Sequence, residues 1–291
     1  MKVIIWGCGQ GGRTVRNLLP SGACLLAFTD SNQSLHGLSL EGVPIIPPEQ
    51  LPSYSPDLVW IAVRNREAAA SIQLRLRELA FSGTVQCLSD LCDTADLRIA
   101  CLRMLAAEIR RREIPGELAE LGVYRGDFAA EMNRLLPERR IYLFDTFHGF
   151  PPEDAAIENA RNPQHRNRMN FEDTSESLVR SRLPRPEQAV FCKGRFPESL
   201  QSLPEPLPTM ALVSLDPDLY EPTRQGLKIF WPLLAPGGII LIHDYNNSQF
   251  PGAGEAVREF CRENRLSILP LPDLHGSAAL IKQTERSLEK C

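Results

Sequence analysis

Residues 117–126 read ELAELGVYRG, a strand that runs into two glycines, and GDFAAEMNRLL at 126–136 continues as a helix. Glycine lets the backbone of such a turn pass close to a ligand. In open α/β sheets, ligands sit beyond the carboxyl ends of the strands. The next strand, IYLFDTF at 141–147, ends in Asp145. An acid about 20 residues beyond a glycine turn can take the hydroxyls of a ribose. Dinucleotide enzymes and methyltransferases share this spacing, so alone it names only a nucleoside ligand.

Outward from that stretch the alternation continues. A helix TSESLVRSRL (174–183) is followed by strands AVFCKG (189–194) and ALVSLD (211–216). Then come helix TRQGLKIFWPLL (223–234), strand GGIILIHDY (237–245), helix GAGEAVREFCREN (252–264), and closing strands SILPL (267–271) and SAALIKQ (277–283). Residues 147–170 read as a long polar loop, of the length usual for lids or disordered segments. The first half repeats the logic: strand KVIIW (2–6), turn GCGQGG (7–12), helix RTVRNLL (13–19), strand CLLAFTD (24–30), short strand GVPII (42–46), strand LVWIAV (58–63), helix REAAASIQLRLRELA (66–80) and strand VQCL (85–88). Alternating strands and helices imply parallel sheets with right-handed crossovers. The expected fold class is α/β, with two Rossmann-like parallel-sheet domains. The first is residues 1–92 with a glycine-rich loop. The second is 93–291, including a linker helix at 94–112 whose apolar residues share one face and which Pro115-Gly116 breaks.

The strand ends of the second half carry the chemistry. LVSLDPDLY at 212–220 closes an apolar run with two carboxylates. On a strand, Asp216 and Asp218 would point the same way, which is costly unless a cation or a proton-accepting role explains it. The neighbouring strand ends in His243-Asp244-Tyr245. Three acids and an imidazole at one edge suggest a divalent metal, a general base, or both. Gly194 and Phe196, in CKGRFP, are placed to shape an adenine slot.

At this point the motifs ELGVYRG, LFDTFHGFP, DTS, CKGRFPESL, DPDLYEPT, LAPGGIILIHDY and GAGEAV stand in one order across residues 114–282. That set resembles the TylF-type macrocin O-methyltransferases, class I S-adenosylmethionine-dependent enzymes that methylate sugar hydroxyls. The resemblance implies that Glu120, Gly122, Tyr124 and Gly126 cradle the amino-acid part of S-adenosyl-L-methionine and that Asp145, with Thr146, serves the ribose. It puts Asp173, Ser175, Gly194 and Phe196 near the adenine or in the loop closing over it. It makes Asp216 a magnesium ligand together with the two residues before Tyr245, and Asp218 the general base. A metal would polarise the acceptor oxygen and Asp218 would take its proton.

One position departs from the family pattern, which has Asp-Asp where this chain has His243-Asp244. Magnesium prefers oxygen ligands, and imidazole suits softer metals. Three readings stay open: Mg2+ held weakly through Asp216 and Asp244, another divalent metal, or a metal-free site with His243 as base. The first two are favoured, because three acids survive. Blander roles stand beside these. Asp216 and Asp218 are candidate caps for the helix that follows, His243 a partner of a neighbouring strand end, and Tyr220 and Tyr245 packing residues. Arg161, His165, Arg166 and Arg168 form either a solvated stretch or one that closes over an anionic acceptor.

In the first half, Gly7, Gly9 and Gly12 satisfy G-x-G-x-x-G after a strand, and Asp30 ends the next strand, so this is a possible second nucleotide site. The unit is about half a full dinucleotide fold. It resembles small Rossmann-like domains attached to bacterial sugar-modifying enzymes. Scaffold, nucleotide-binding and hydride-transfer roles are all weighed for it.

Composition limits the rest. Of 291 residues, 32 are Lys or Arg and 36 Asp or Glu, a net charge of −4. That balance argues against nucleic acid as partner. No apolar run reaches the roughly 20 residues of a membrane helix. The opening MKVIIWGCGQGG lacks a signal-peptide pattern, so a cytoplasmic location is expected. Eight cysteines at irregular spacing, with no C-x-x-C pair, read as reduced thiols. The expected function is methylation of a hydroxyl on a sugar, glycan or glycosylated metabolite by a homo-oligomer. The rivals are an NAD-linked sugar oxidoreductase and a non-catalytic nucleotide-binding or assembly protein.

Overall fold

The computed structural model describes residues 1–163, 171–247 and 250–283. The chain divides into two compact units, Met1–Leu97 and Arg98–Cys291.

The first unit runs β1 (Lys2–Trp6), α1 (Gln10–Leu18), β2 (Cys24–Thr29), β3 (Ser39–Leu40), β4 (Val43–Ile46), β5 (Leu58–Ile61), α2 (Arg66–Glu78), β6 (Thr84–Cys87) and α3 (Leu88–Thr94). Its sheet has the order β3-β4-β2-β1-β5-β6, parallel except for β3 against β4. Ile4, Trp6, Ala27, Val59, Ile61 and Leu76 share its core. Helix α2 shows why the local sequence folds as it does. The Asn65 side chain accepts the Ala68 N–H at 2.8 Å, and Arg75 and Arg77 lie in the last turn, where cations favour the helix dipole.

The second unit runs α4 (Leu97–Arg111), β7 (Glu117–Leu121), α5 (Asp127–Leu135), β8 (Ile141–Asp145), α6 (Pro152–Arg161), α7 (Glu176–Arg182), β9 (Ala189–Lys193), β10 (Met210–Leu215), α8 (Tyr220–Leu233), β11 (Leu234–Ile242), α9 (Pro251–Asn264), β12 (Leu269–Pro270) and β13 (Ala278–Ile281). The sheet order is β12-β13-β11-β10-β7-β8-β9. Only β12 and β13 run antiparallel to their neighbours. β10 is buried at every residue, as a central strand covered on both faces requires. One face packs Leu102, Ala106, Phe128, Met132 and Val179 from α4, α5 and α7. The other packs Leu227, Phe230, Val257 and Phe260 from α8 and α9.

The chain direction along the sheet reverses at β7, which pairs with β8 on one side and β10 on the other. This is the switch point at which open α/β sheets leave a crevice. The three central strands end level with one another. Asp216 N–H donates to Leu121 O at 2.8 Å and His243 N–H to Leu215 O at 2.9 Å. The residues that follow β7, β10 and β11 therefore leave the sheet side by side.

Several sequence expectations need correction. The polar loop at 147–170 contains α6. Pro152 opens that helix, Glu153 and Asp154 fill its first turn and Arg161 its last, all favoured positions. Its inward face is acidic rather than apolar, with Asp154 and Glu158 buried, so hydrophobic periodicity was silent. The linker helix begins at Leu97 rather than at 94, preceded by the separate α3. SILPL contributes only the two residues of β12. Among the described residues, seven cysteines are free thiols, and no helix is long and apolar enough to cross a membrane.

Candidate active site

The acids after β10 converge on the acid after β11, but not by strand alternation. β10 stops at Leu215, and Asp216-Pro217-Asp218 form a turn beyond it in which Asp218 takes a left-handed backbone (φ 59°). Asp244 does the same on the neighbouring loop (φ 57°). Such conformations are uncommon for residues other than glycine and persist where surrounding structure enforces them. The result is a compact group. Ligand-capable atoms of Asp216, His243 and Asp244 all lie within 4.8 Å of one another, and the Asp218 carboxyl is electrostatically coupled to Asp244.

The electrostatics of this group are strongly coupled. Burial, and then the charges of Asp244 and Asp216, push the Asp218 carboxyl well above its ordinary range, against the opposing pull of Arg98. Burial would also raise Asp244, but His243, Asp218 and Asn247 hold it far below the usual carboxylate range. Asp218 is thus the member of the pair that holds a proton more readily. Burial pulls His243 down and Arg98 opposes its charge, yet Asp216 and Asp244 together hold the imidazole up at about 9. His243 Nδ1 lies 2.8 Å from Asp216 Oδ1 and 3.2 Å from Asp244 Oδ2. Neither ring nitrogen has an aligned hydrogen bond among the described residues, so the contact is ionic. The His275 ring tilts against the His243 ring at 5.0 Å.

The family resemblance implies a metal here, and the donor set argues against magnesium. Asp216 Oδ2 accepts from Arg98 Nη2 at 2.8 Å, while its Oδ1 faces His243. Asp244 Oδ1 accepts from the Asn247 amide, and its Oδ2 faces His243. Protein cations and donors already engage all four oxygens, and the third candidate ligand is a nitrogen, which a hard ion disfavours.

The other expected site residues fall into three groups. Glu120 lies at the switch point, 1% exposed. Burial raises its carboxyl well above the ordinary range despite Arg98, with the charges of Asp216 and Asp145 adding to the rise. Its Oε2 is buried without a hydrogen-bond partner, the signature of a group that awaits a donor or a cation. Asp145 is committed to the turn. Its Oδ2 accepts the Val123 and Tyr124 N–H groups at 2.7 and 2.8 Å, and its Oδ1 accepts the Phe147 N–H at 2.7 Å. A carboxylate offers about four acceptor sites, so little is left for a sugar. Gly122 serves protein packing: a Cβ there would lie 2.2 Å from Asp216 O, with φ at +83°. Gly126 is pressed against Val179 in the same way.

The remaining residues sit in supporting roles. Tyr124 OH donates to Asp173 at 2.6 Å, and Asp173 pairs with Arg125 at 3.1 Å. Ser175 caps α7 by accepting the Leu178 N–H, and Thr146 donates to Gly149 O. Gly194 N–H donates to Asp145 O at 2.9 Å. Phe196 corrects an expectation: it lies at 4% exposure, edge-on to Phe144 and stacked on Phe230 at 5.4 and 5.8 Å. The ring packs into the core, where each aromatic pair is worth about 0.5–1.5 kcal/mol, rather than standing open beside the turn. Neither Asp216 nor Asp218 caps α8, because Glu158 Oε2 takes the Tyr220 N–H at 2.9 Å. Arg161 is spent on Glu255, Glu259 and the Tyr220 ring, so it offers no fork to an anionic acceptor. His165, Arg166 and Arg168 lie outside the described residues. In the first unit, Asp30 Oδ2 accepts the Cys8 N–H at 2.8 Å. Gly11 and Gly12 pack against Ala62 O and Gly7 O, whereas a Cβ on Gly9 would meet nothing within 4 Å.

Comparison with known proteins decides the family. Residues 86–280 match the macrocin O-methyltransferase (TylF) family. The chain belongs to that family. Residues 1–83 match a second family, described as C2185-like, N-terminal, whose description names no ligand; the expected kinship with domains of sugar-modifying enzymes is not confirmed. Among curated relatives of this TylF-family chain, the demethyldecarbamoylnovobiocin O-methyltransferase of Streptomyces niveus is 29% identical over 174 residues, 56% of this chain and 64% of that protein. The 8-demethyl-8-(2,3-dimethoxy-alpha-L-rhamnosyl)-tetracenomycin-C 4'-O-methyltransferase of Streptomyces olivaceus is 28% identical over 185 residues, 60% of this chain and 68% of that protein. The chain thus spans under two thirds of the novobiocin relative's length. Two solved structures share the fold at 23% identity and a TM-score of 0.52. They are the O-methyltransferase NovP, covering 65% of this chain and 80% of its own, and a calicheamicin methyltransferase, covering 75% and 94%. The TylF-family unit therefore has the class I methyltransferase fold.

Arg98, Glu158 and His275 are the site residues that sequence reasoning missed. Arg98 lies inside a helix assigned to packing by its apolar stripe, Glu158 inside the segment taken for a loop, and His275 between the two closing strands.

Proposed function

We propose that this chain transfers a methyl group from S-adenosyl-L-methionine to a hydroxyl of a sugar or glycoside, with Asp218 as the general base. The observation that carries the reading is the convergence of Asp216, Asp218, His243 and Asp244 at the ends of β10 and β11, with a buried, unpartnered carboxyl oxygen of Glu120 at the end of the adjoining β7. The family, and relatives named for methylation of glycosylated natural products, support the same class of reaction.

The residues divide the work. S-adenosyl-L-methionine, when bound, supplies a methyl group activated on a sulfonium sulfur. The orphaned Glu120 Oε2 suits a cationic group of that molecule, and a cation beside it restores the ionised carboxylate. Asp145 ties down the turn after β7 through the Val123, Tyr124 and Phe147 amides, so that turn is fixed before any ligand arrives. Asp218, once ionised, takes the proton of the acceptor hydroxyl. Because its pKa is raised, it is a stronger base than a free carboxylate, and general-base catalysis works best with a pKa near the working pH. Burial raises that pKa most, and the charge of Asp244 adds to the rise.

The test is a parallel titration with S-adenosylhomocysteine and NADH, followed by transfer of an isotope-labelled methyl group to a panel of free and aglycone-linked sugars. Binding of the first ligand together with label in a sugar ether is expected. Tight NADH binding with no response to S-adenosylhomocysteine would instead establish the oxidoreductase reading of the glycine loop around Gly9.

A further inference from the structure

The second residue of α4, Arg98, reaches the end of β10 and is held there on two sides. Its Nη2 meets Asp216 Oδ2 at 2.8 Å, with the two side chains only 18% and 19% exposed. Its guanidinium carbon Cζ lies over the Phe128 ring, 4.0 Å from the centroid. Asp273 adds further negative charge around it. A guanidinium never loses its charge in a protein, is weakly hydrated and stacks well on aromatic rings, so it tolerates such a seat better than an ammonium would. Asp216 in turn faces His243 Nδ1 through its other oxygen. A chain of contacts therefore runs from Phe128 through Arg98 and Asp216 to His243.

A divalent ion at Asp216 would have to displace this guanidinium, and it would find an imidazole where a third oxygen is preferred. We propose that Arg98 is the resident cation of this site. It neutralises and positions Asp216 in the place where the family resemblance puts a divalent metal, and the acid cluster needs no metal ion. Arg98 is a positioning residue, acting through Asp216 on His243. The catalytic meaning of this proposal rests on the methyl-transfer reading, but its ion-binding content does not.

The experiment is a titration of the full-length apo protein with Mn2+, reading free ion by its electron paramagnetic resonance signal. The wild-type protein is expected to leave millimolar Mn2+ free. The double variant Arg98→Met with His243→Asp removes the internal cation and restores a third carboxylate. It should capture one Mn2+ per chain, with affinity raised by about tenfold or more, the scale on which groups around metal ligands act. Arg98→Lys with His243→Asp keeps a positive charge in place and should stay close to wild type; a merely structural role for Arg98 would not show this rescue. Circular dichroism establishes that each variant is folded. Capture of Mn2+ by the wild-type protein that Asp216→Asn abolishes would overturn the proposal. So would a folded Arg98→Met double variant that leaves the ion free. Should methyl transfer never be observed, the function proposed above falls while the Mn2+ result still decides this inference. Where transfer is observed, its rate should be unchanged after exhaustive dialysis against a chelator.

Discussion

The two units solve the same local problem in the same way and then part. In each, a strand enters a glycine turn and the neighbouring strand ends in an aspartate that ties the turn down. Asp30 accepts the Cys8 N–H in the first unit, and Asp145 accepts those of Val123 and Tyr124 in the second. The difference lies one strand further along. β5, beside β1, runs on into apolar Ala62 and Val63, and the Ala62 carbonyl packs on Gly11. β10, beside β7, runs into Asp216-Pro217-Asp218 and faces His243-Asp244 from β11. The glycine turn is thus a piece of general carpentry, and reactivity comes from what the adjoining strands add.

The largest effect expected from this contrast is on turnover. Asp218→Asn should lower kcat by about 10²–10⁴-fold, the usual worth of a general base, with little change in S-adenosylhomocysteine affinity measured by calorimetry. Asp30→Asn should leave methyl transfer at the wild-type rate, and a comparable loss there would break the contrast. Next comes stability. Asp145→Ala strips three backbone N–H groups of a charged acceptor and should cost about 3 kcal/mol in urea unfolding, since hydrogen bonds to charged groups are worth roughly 1.5–3 kcal/mol each and some are recovered by water. Asp30→Ala removes two such bonds and should cost less.

The acid limb of the rate profile sharpens the picture further. Asp218 must be ionised to act, and its pKa is raised, so kcat should climb with pH through a value above the ordinary carboxylate range. Asp244→Asn removes the neighbouring charge and should move that limb to lower pH, while burial keeps it above the ordinary carboxylate range. The smallest effect concerns Glu120, which pays a burial cost whenever it would otherwise ionise. A carboxyl whose folded pKa is raised loses stability as pH rises from its unfolded value through its folded one. Glu120→Gln should therefore raise Tm at neutral pH by roughly 2–4 °C, the shift about 1 kcal/mol gives at this size. It should give no gain below the ordinary glutamate range, and it should weaken cofactor binding.

Patterns in the residues disclosed the strands, most helices, the glycine turns and the acids at the strand ends, because each is a local arrangement with a fixed period or spacing. What stayed hidden depends on partners far away in the chain. Strand alternation predicts that Asp216 and Asp218 share a face, but β10 ends at Leu215 and a left-handed backbone at Asp218 directs its side chain instead. Phe196 looked available for a ligand because nothing local reveals that Phe144 and Phe230 close around it. Arg98 was invisible because its meaning is a contact 118 residues away. α6 escaped notice because its inward side chains are acids matched by Arg195 and by backbone donors, a complement that no hydropathy period records.

That last match has a consequence for engineering. Glu158 bridges the Tyr220 and Gly252 amides at the heads of α8 and α9, the two helices that follow the reactive turns. The stretch from β8 to α7 is therefore not an exchangeable cassette. A chimaera that grafts this stretch from a relative to alter acceptor choice, but omits an acid at position 158, would leave two helix heads uncapped and unsettle the very turns it meant to spare.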